Sequence, residues 1–121
     1  MLPHFAKVER TIDIEISPYK VYDIYMEASF AWDEDKNREN QEKHRVSFQA
    51  AQFAFADPNL LILRDERHST PEEERFYGVG RIEGGVVTVR FIVRNNRIRI
   101  FGAGFWRKYR KRYLEQAAII S

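Results

Sequence analysis

The chain has 121 residues, the length of a single compact domain, and at 44% hydrophobic and 14% aromatic it can fill a core. It contains no cysteine, which excludes disulfide frameworks, thiol nucleophiles and thiolate zinc sites. Nothing reaches the 18 or so consecutive apolar residues of a membrane span, and no basic region followed by an apolar stretch opens the chain. The expectation is a cytoplasmic protein with no membrane partner. The net charge of +2 conceals an asymmetry: residues 1–83 hold 11 Lys/Arg against 17 Asp/Glu, whereas residues 84–121 hold 9 against one acid, Glu115. Two readings fit this split. One is an anionic partner for the C-terminal part, nucleic acid first; the other is mutual neutralisation over the folded surface.

In chain order, Thr11 to Ile16 alternates with strand period, and Ser17-Pro18 then opens a helix over Tyr19 to Ala28. Asp33 caps a second helix running to His44, and Glu34 to His44 contains no apolar residue at all. A helix polar on every face is either simply solvated or held out to meet something. Ser47 caps a third helix with Phe48, Ala51, Gln52 and Phe55 on one side, ended by Asp57-Pro58-Asn59. Leu60 to Leu63 reads as a short strand, followed by a charged loop from Arg64 to Glu74. Three strands come next, Arg75 to Ile82, Val86 to Arg94 and Arg97 to Phe101, joined at Gly84-Gly85 and Asn95-Asn96. Both dipeptides supply positive φ and signal two-residue hairpins. Phe105 to Ile120 forms a last helix with Trp106, Tyr109, Tyr113, Ala117 and Ile120 on one stripe. The fold class expected is α+β, with N-terminal helices and a C-terminal helix packed on one face of a small antiparallel sheet.

Closing the hairpins has a consequence for charge. A turn at Asn95-Asn96 sets Arg94 opposite Arg97 and Ile92 opposite Arg99. Alternation then puts Val87, Val89, Phe91, Val93, Ile98 and Ile100 on the face meant for the helices. Arg90, Arg94, Arg97 and Arg99 lie on the other, joined across the Gly84-Gly85 turn by Arg81, Val79 and Tyr77. Like charges facing each other across strands cost a few tenths of a kcal/mol or more per pair. A sheet that repeats this cost suits a polyanion, and arginine's planar fork binds phosphate through two oxygens at once. The alternative is a solvated face whose arginine stems cover apolar surface.

Three histidines are present. His4 is incidental, and His44 sits where a cation complements a helix C-terminus. His68, among both charge signs on the loop, is either an acid/base candidate or a surface residue. Gly78-Val79-Gly80 and Gly102-Ala103-Gly104 lack the rest of any phosphate-loop pattern. Glu72-Glu73-Glu74 reads as a solvated run rather than a metal site, and neither Ser47 nor Ser69 has a visible nucleophile arrangement. No cofactor and no metal are expected.

The segments Phe30-Ala31-Trp32-Asp33-Glu34-Asp35-Lys36, Asn40, and Lys43-His44-Arg45-Val46-Ser47-Phe48 resemble, in order and spacing, the BrnT family. So do Phe55-Ala56-Asp57-Pro58, Asp65-Glu66-Arg67-His68-Ser69, Glu74-Arg75 and Arg97-Ile98-Arg99-Ile100. The resemblance runs from about residue 26 to residue 115. It implies a RelE/ParE-like fold and the ribonuclease toxin half of a bacterial type II toxin–antitoxin pair, stopping translation by cutting RNA without a metal. It further implies a small cognate antitoxin, BrnA-like, through which the complex binds operator DNA. On this resemblance His68 or His44 transfers the proton, and Arg67, Arg97 and Arg99 hold the scissile phosphate. Lys36, Lys43, Arg81, Arg90 and Arg94 contact flanking RNA, and Tyr77 stacks on a base.

Two departures stand out. The family pattern after the last strand reads Ile-Ser-Ala-Arg, with an alanine two residues beyond the arginine. Here the serine and arginine are Gly102 and Gly104, and Trp106 takes the alanine position. A non-catalytic nucleic-acid-binding module, or one that only binds an antitoxin, is therefore the alternative to an active ribonuclease. In addition, residues 1–25 precede the usual start. They read as an extension carrying a strand and a helix, or as a start-site artefact, ahead of a toxin domain over 26–121.

Overall fold

The computed structural model describes residues 30–120. The strand expected over 11–16 and the helix over 19–28 lie outside the described residues. The elements in order are β1 (Phe30–Ala31), α1 (Glu34–His44), α2 (Phe48–Ala51), a 3-10 turn (Gln52–Ala56), β2 (Leu61–Arg64), β3 (Phe76–Ile82), β4 (Gly85–Arg94), β5 (Arg97–Gly104) and α3 (Arg107–Ile120). The class is α+β, as expected. The five strands form one sheet in the order β1-β5-β4-β3-β2, antiparallel except for the parallel pair β1–β5.

Both caps form where the residue types place them. Asp33 Oδ1 accepts from the backbone N–H of Asp35 at 2.8 Å and of Lys36 at 3.2 Å, and Ser47 Oγ accepts from Ala50 N–H at 3.0 Å. The helix after Ser47 is α-helical only to Ala51 and tightens to 3-10 geometry through Ala56. The all-polar α1 is neither loose nor merely solvated, because two buried asparagines one turn apart dock it. Asn37 Oδ1 accepts from Phe48 N–H at 2.8 Å, and its amide donates to Gln49 at 2.9 Å. The Asn40 amide donates to the carbonyls of Val46 (3.0 Å) and Ala103 (2.9 Å), while its oxygen accepts from Ala103 N–H (3.2 Å). Asn40 thereby pairs the edge of β5 beyond the point where β1 ends, doing for one residue what a strand would do.

The Asn95-Asn96 hairpin has the expected register, Arg94 opposite Arg97 and Ile92 opposite Arg99, with φ of 54° and 61° at the two asparagines. The other hairpin closes one residue earlier than expected. Ile82 pairs with Gly85 around Glu83-Gly84, so Tyr77 faces Arg90 and Arg81 faces Val86. The shift of two leaves side-chain parity intact, so Tyr77, Val79 and Arg81 do share a face with Arg90. β5 also runs three residues further than expected, past a bulge. Phe91 pairs with Ile100 but Arg90 pairs with Gly102, leaving Phe101 as the extra residue.

The sheet is covered on both faces, a correction to the expectation that all helices share one. On the first face Phe48, Ala51, Ala54 and Phe55 pack on Val87, Val89, Phe91, Ile98 and Ile100. Each large side chain there contributes roughly 1.5–3 kcal/mol by burial. On the second, α3 lays Tyr113 and Tyr109 across Leu61, Leu63, Val79 and Val86. That second face is the arginine face. Val86 and Val87 are chain neighbours that point to opposite sides, which is how one strand serves two cores. α3 therefore covers the β2–β3 side of the arginine face and leaves the β4–β5 side open.

Candidate nucleic-acid interface

The open part of the arginine face is walled by α1 on one side, the 65–75 loop on the other and the start of α3 below. Its floor is set by the β5 bulge, which turns Phe101 and Gly102 to the same side as Arg90. Phe101 lies between two guanidiniums, with Arg90 Cζ 5.0 Å and Arg75 Cζ 5.2 Å from its ring centroid. A Cβ at Gly102 would stand 3.3 Å from Arg90 Cδ, so the missing side chain gives the arginine stem room to lie down. Arg90 Nε is buried without a hydrogen-bond partner among the described residues.

Two clefts share this floor. The first, of about 230 Å³, is lined by Lys36, Lys43, His44, Arg90, Phe101 and Trp106, with Glu39, Asn40 and Gly102. The second, of about 190 Å³, is lined by Lys36, Arg75, Arg94, Arg99, Phe101, Ile92 and Glu73. Lys36 and Phe101 belong to both, so the clefts form one groove. Lys36, Lys43 and Arg99 make no side-chain hydrogen bond or ion pair among the described residues. Arg94 is already answered: Glu73 bridges it at 2.9 Å and Arg75 at 3.0 Å. The repulsion expected between Arg94 and Arg97 is thereby relieved from the loop, and Arg97 turns away to donate to the Phe30 carbonyl at 3.4 Å.

The structure thus brings together Lys36, Lys43, His44, Arg90, Arg94 and Arg99. Arg97 stays at the hairpin end. Arg67 and His68 sit on the loop, outside both clefts. His68 is 51% exposed and its Nδ1 lies 2.9 Å from Oδ2 of Asp65, a carboxylate only 6% exposed. With Nδ1 donating to the carboxylate, Nε2 faces outward. Burial by itself would raise the Asp65 carboxyl. The ring and backbone N–H groups of His68, its charge and the Tyr77 hydroxyl outweigh burial and pull it below its ordinary value. Tyr77 is occupied, stacked on Tyr109 with centroids 4.6 Å apart. Burial, then the Tyr109 hydroxyl, push its phenol well above the usual range. Arg81 lies over the Tyr113 ring at 5.7 Å, beneath α3 and away from the groove.

Sequence reasoning missed Phe101, Arg75, Glu73, Asp65, Asn37 and Asn40 as site-building residues. The bulge carries no hydropathy signal, and asparagine docking carries none either. The sequence did hold one usable signal, the Gly104/Trp106 pair. A Cβ at Gly104 would stand 2.7 Å from Cη2 and Cζ2 of Trp106, so the glycine is the seat of the indole. Among the described residues no group of three or more His, Asp or Glu side chains is placed to hold a metal ion, and no helix is long and apolar enough to cross a membrane.

No curated protein matches the chain. The family model of the ribonuclease toxin BrnT of type II toxin–antitoxin systems matches residues 32–111, a span that begins at Trp32 ahead of α1 and ends inside α3. It contains both clefts, the His68 loop, Gly102, Gly104 and Trp106. Membership implies an antitoxin as a partner. The chain belongs to the BrnT family of ribonuclease toxins.

Proposed function

We propose that this chain is an endoribonuclease that binds RNA along the groove beside α1 and cuts it without a metal, inhibiting translation. The observation that carries the reading is the convergence of Lys36, Lys43, Arg90 and Arg99, without carboxylate partners, on a groove that also holds His44. A cleft lined by unneutralised cations favours a phosphate, and charge placed in advance of the reaction is often the largest catalytic contribution. In this scheme Arg99, Arg90 and Lys36 hold the scissile phosphate. His44 takes the proton from the 2′-hydroxyl as the 2′-oxygen bonds to phosphorus and the P–O5′ bond breaks. The departing 5′-oxygen is protonated by water or by the Lys43 ammonium. The products are a 2′,3′-cyclic phosphate and a 5′-hydroxyl.

His68 is read differently: held by Asp65, it fixes the loop and meets flanking RNA. The β-strand spacing of about 4.8 Å puts Arg99 and Asp65 roughly 14 Å apart across the sheet, a few nucleotides of extended chain. A small BrnA-like antitoxin would cover the groove, and operator DNA would be bound through that complex alone.

Incubating purified protein with RNA in EDTA tests the reading. New 5′-hydroxyl and cyclic-phosphate ends should appear, fall about 10²–10³-fold in Arg99→Ala, be lost in His44→Ala and persist in His68→Ala. Loss in His68→Ala with His44→Ala active would move the chemistry to the loop. The second reading, binding without cleavage, is favoured by Gly102 and Gly104 standing where the family pattern carries serine and arginine. Bound but intact RNA would select it.

A further inference from the structure

We propose that the cleft between α1 and the β5–α3 junction is a nucleobase pocket selective for guanine, with Trp106 as its stacking surface and Glu39 as the acceptor that reads the base edge. It rests on the RNA reading above and adds a base preference to it. Trp106 belongs to neither hydrophobic cluster. Its six-membered ring rests on the backbone at Gly104, where any Cβ would collide, and His44 meets it edge-on, with centroids 5.1 Å apart and planes at 64°. The ring stays partly exposed and forms a wall of the cleft. A large aromatic ring seated by a glycine, outside the core and beside unpaired cations, has the components of a base-stacking site.

The size and the polar groups narrow the ligand. About 230 Å³ is less than the roughly 300–1,000 Å³ of sites that enclose whole small molecules. It suits one ring system with its phosphate reaching out to Lys36 or Lys43 of the same lining. Within the lining, the Asn40 amide is already spent on Val46 and Ala103. Glu39 is then the lining's one carboxylate, and although it stands one turn before Lys43 it makes no ion pair with it. A carboxylate accepts best from two adjacent donors. Guanine alone among the four bases presents a ring N–H and an amino group side by side on its Watson–Crick edge.

Titrating the full chain with guanosine 3′-monophosphate while following tryptophan emission tests this directly, whether or not RNA is cut. The chain has two tryptophans, and Trp32 is engaged elsewhere, donating to Glu34 and packing edge-on against Phe48. Saturable quenching is expected for the wild type and should vanish in Trp106→Phe. Trp106→Ala, read by calorimetry because the reporter is gone, should weaken binding roughly 5- to 150-fold, the range for alanine at base-stacking rings. Gly104→Ala, which displaces the indole without removing it, should weaken binding too. Glu39 is exposed, so Glu39→Gln leaves folding intact and should erase the preference for the guanosine over the adenosine nucleotide. Absent quenching in the wild type, quenching that survives in Trp106→Phe, or an unchanged base preference in Glu39→Gln overturns the proposal. Nucleotide binding at Trp106 in a protein that leaves RNA intact would uphold the pocket and reject the ribonuclease.

Discussion

Asn40 shows how much one uncharged side chain can organise. Its amide satisfies both backbone groups of Ala103 and the carbonyl of Val46, all in a buried setting. Asn40→Ala would leave these groups without partners at about 1–3 kcal/mol for each unmet bond. A loss of at least about 3 kcal/mol is therefore expected in urea or thermal unfolding, together with loosened α1 and weaker RNA binding. A change below about 0.5 kcal/mol would mean that water replaces the amide at no cost. Tyr113 makes a comparable single contact at the far end of the sheet, donating to Asp57 at 2.5 Å, and the same carboxylate oxygen accepts from Arg81 N–H at 2.6 Å. Burial first, then the hydrogen bond to Asp57, push the Tyr113 phenol up to about 12. The folded state thus holds this proton more tightly than the unfolded chain does. The stability it contributes is complete below about pH 10 and is lost as pH rises from there through about 12. Melting temperature should fall across that window, and Tyr113→Phe should flatten the fall while lowering stability at neutral pH.

At the level of elements, legibility in the sequence tracked whether hydropathy or backbone conformation carried the signal. Asn95-Asn96 fixed its hairpin because both residues occupy the left-handed region, which few residue types enter readily. Gly84-Gly85 was ambiguous for the same reason: two adjacent glycines both accept positive φ, and Gly85 became a strand residue. The cap of α1 was readable in Asp33, but its docking rests on hydrogen bonds from Asn37 and Asn40, which leave no apolar stripe. The Tyr109/Tyr113 stripe of α3 was visible as well. Which face it would cover was not, because Leu61, Leu63, Val79 and Val86 form an apolar patch only once three strands are in register. α3 also carries a feature that stability alone would not favour. Its N-terminal half holds Arg107, Lys108, Arg110, Lys111 and Arg112, with no acid in the first turn, against the helix dipole. Arg107→Glu should therefore raise stability by about 0.3–1 kcal/mol and at the same time weaken RNA binding. Raised stability with unchanged RNA affinity would show that α3 does not touch the RNA.

For the whole molecule, the charge split of the chain becomes a spatial one, though not the one that counting implied. Arginines from the basic C-terminal part converge on one face with lysines from the acid-rich part, because α1 brings Lys36 and Lys43 to the edge of β5. The acid-rich part also neutralises some of that charge, through Glu73 on Arg75 and Arg94. Four cations in the groove remain without carboxylate partners, Lys36, Lys43, Arg90 and Arg99, and these should set the salt dependence of RNA binding. Each phosphate neutralised on single-stranded RNA contributes about −0.7 to the slope of log affinity against log salt. A slope of about −3 is therefore expected if the RNA stays in the groove, and about −6 if it continues along the five cations of α3. Glu73→Gln frees both Arg94 and Arg75 and should steepen the slope by about one to two such increments, while costing at most about 1 kcal/mol of stability for each partly exposed ion pair. Lys36→Ala should shallow the slope by about one increment. A slope near zero would assign the groove to the antitoxin alone, because phosphate contacts cannot form without releasing counterions.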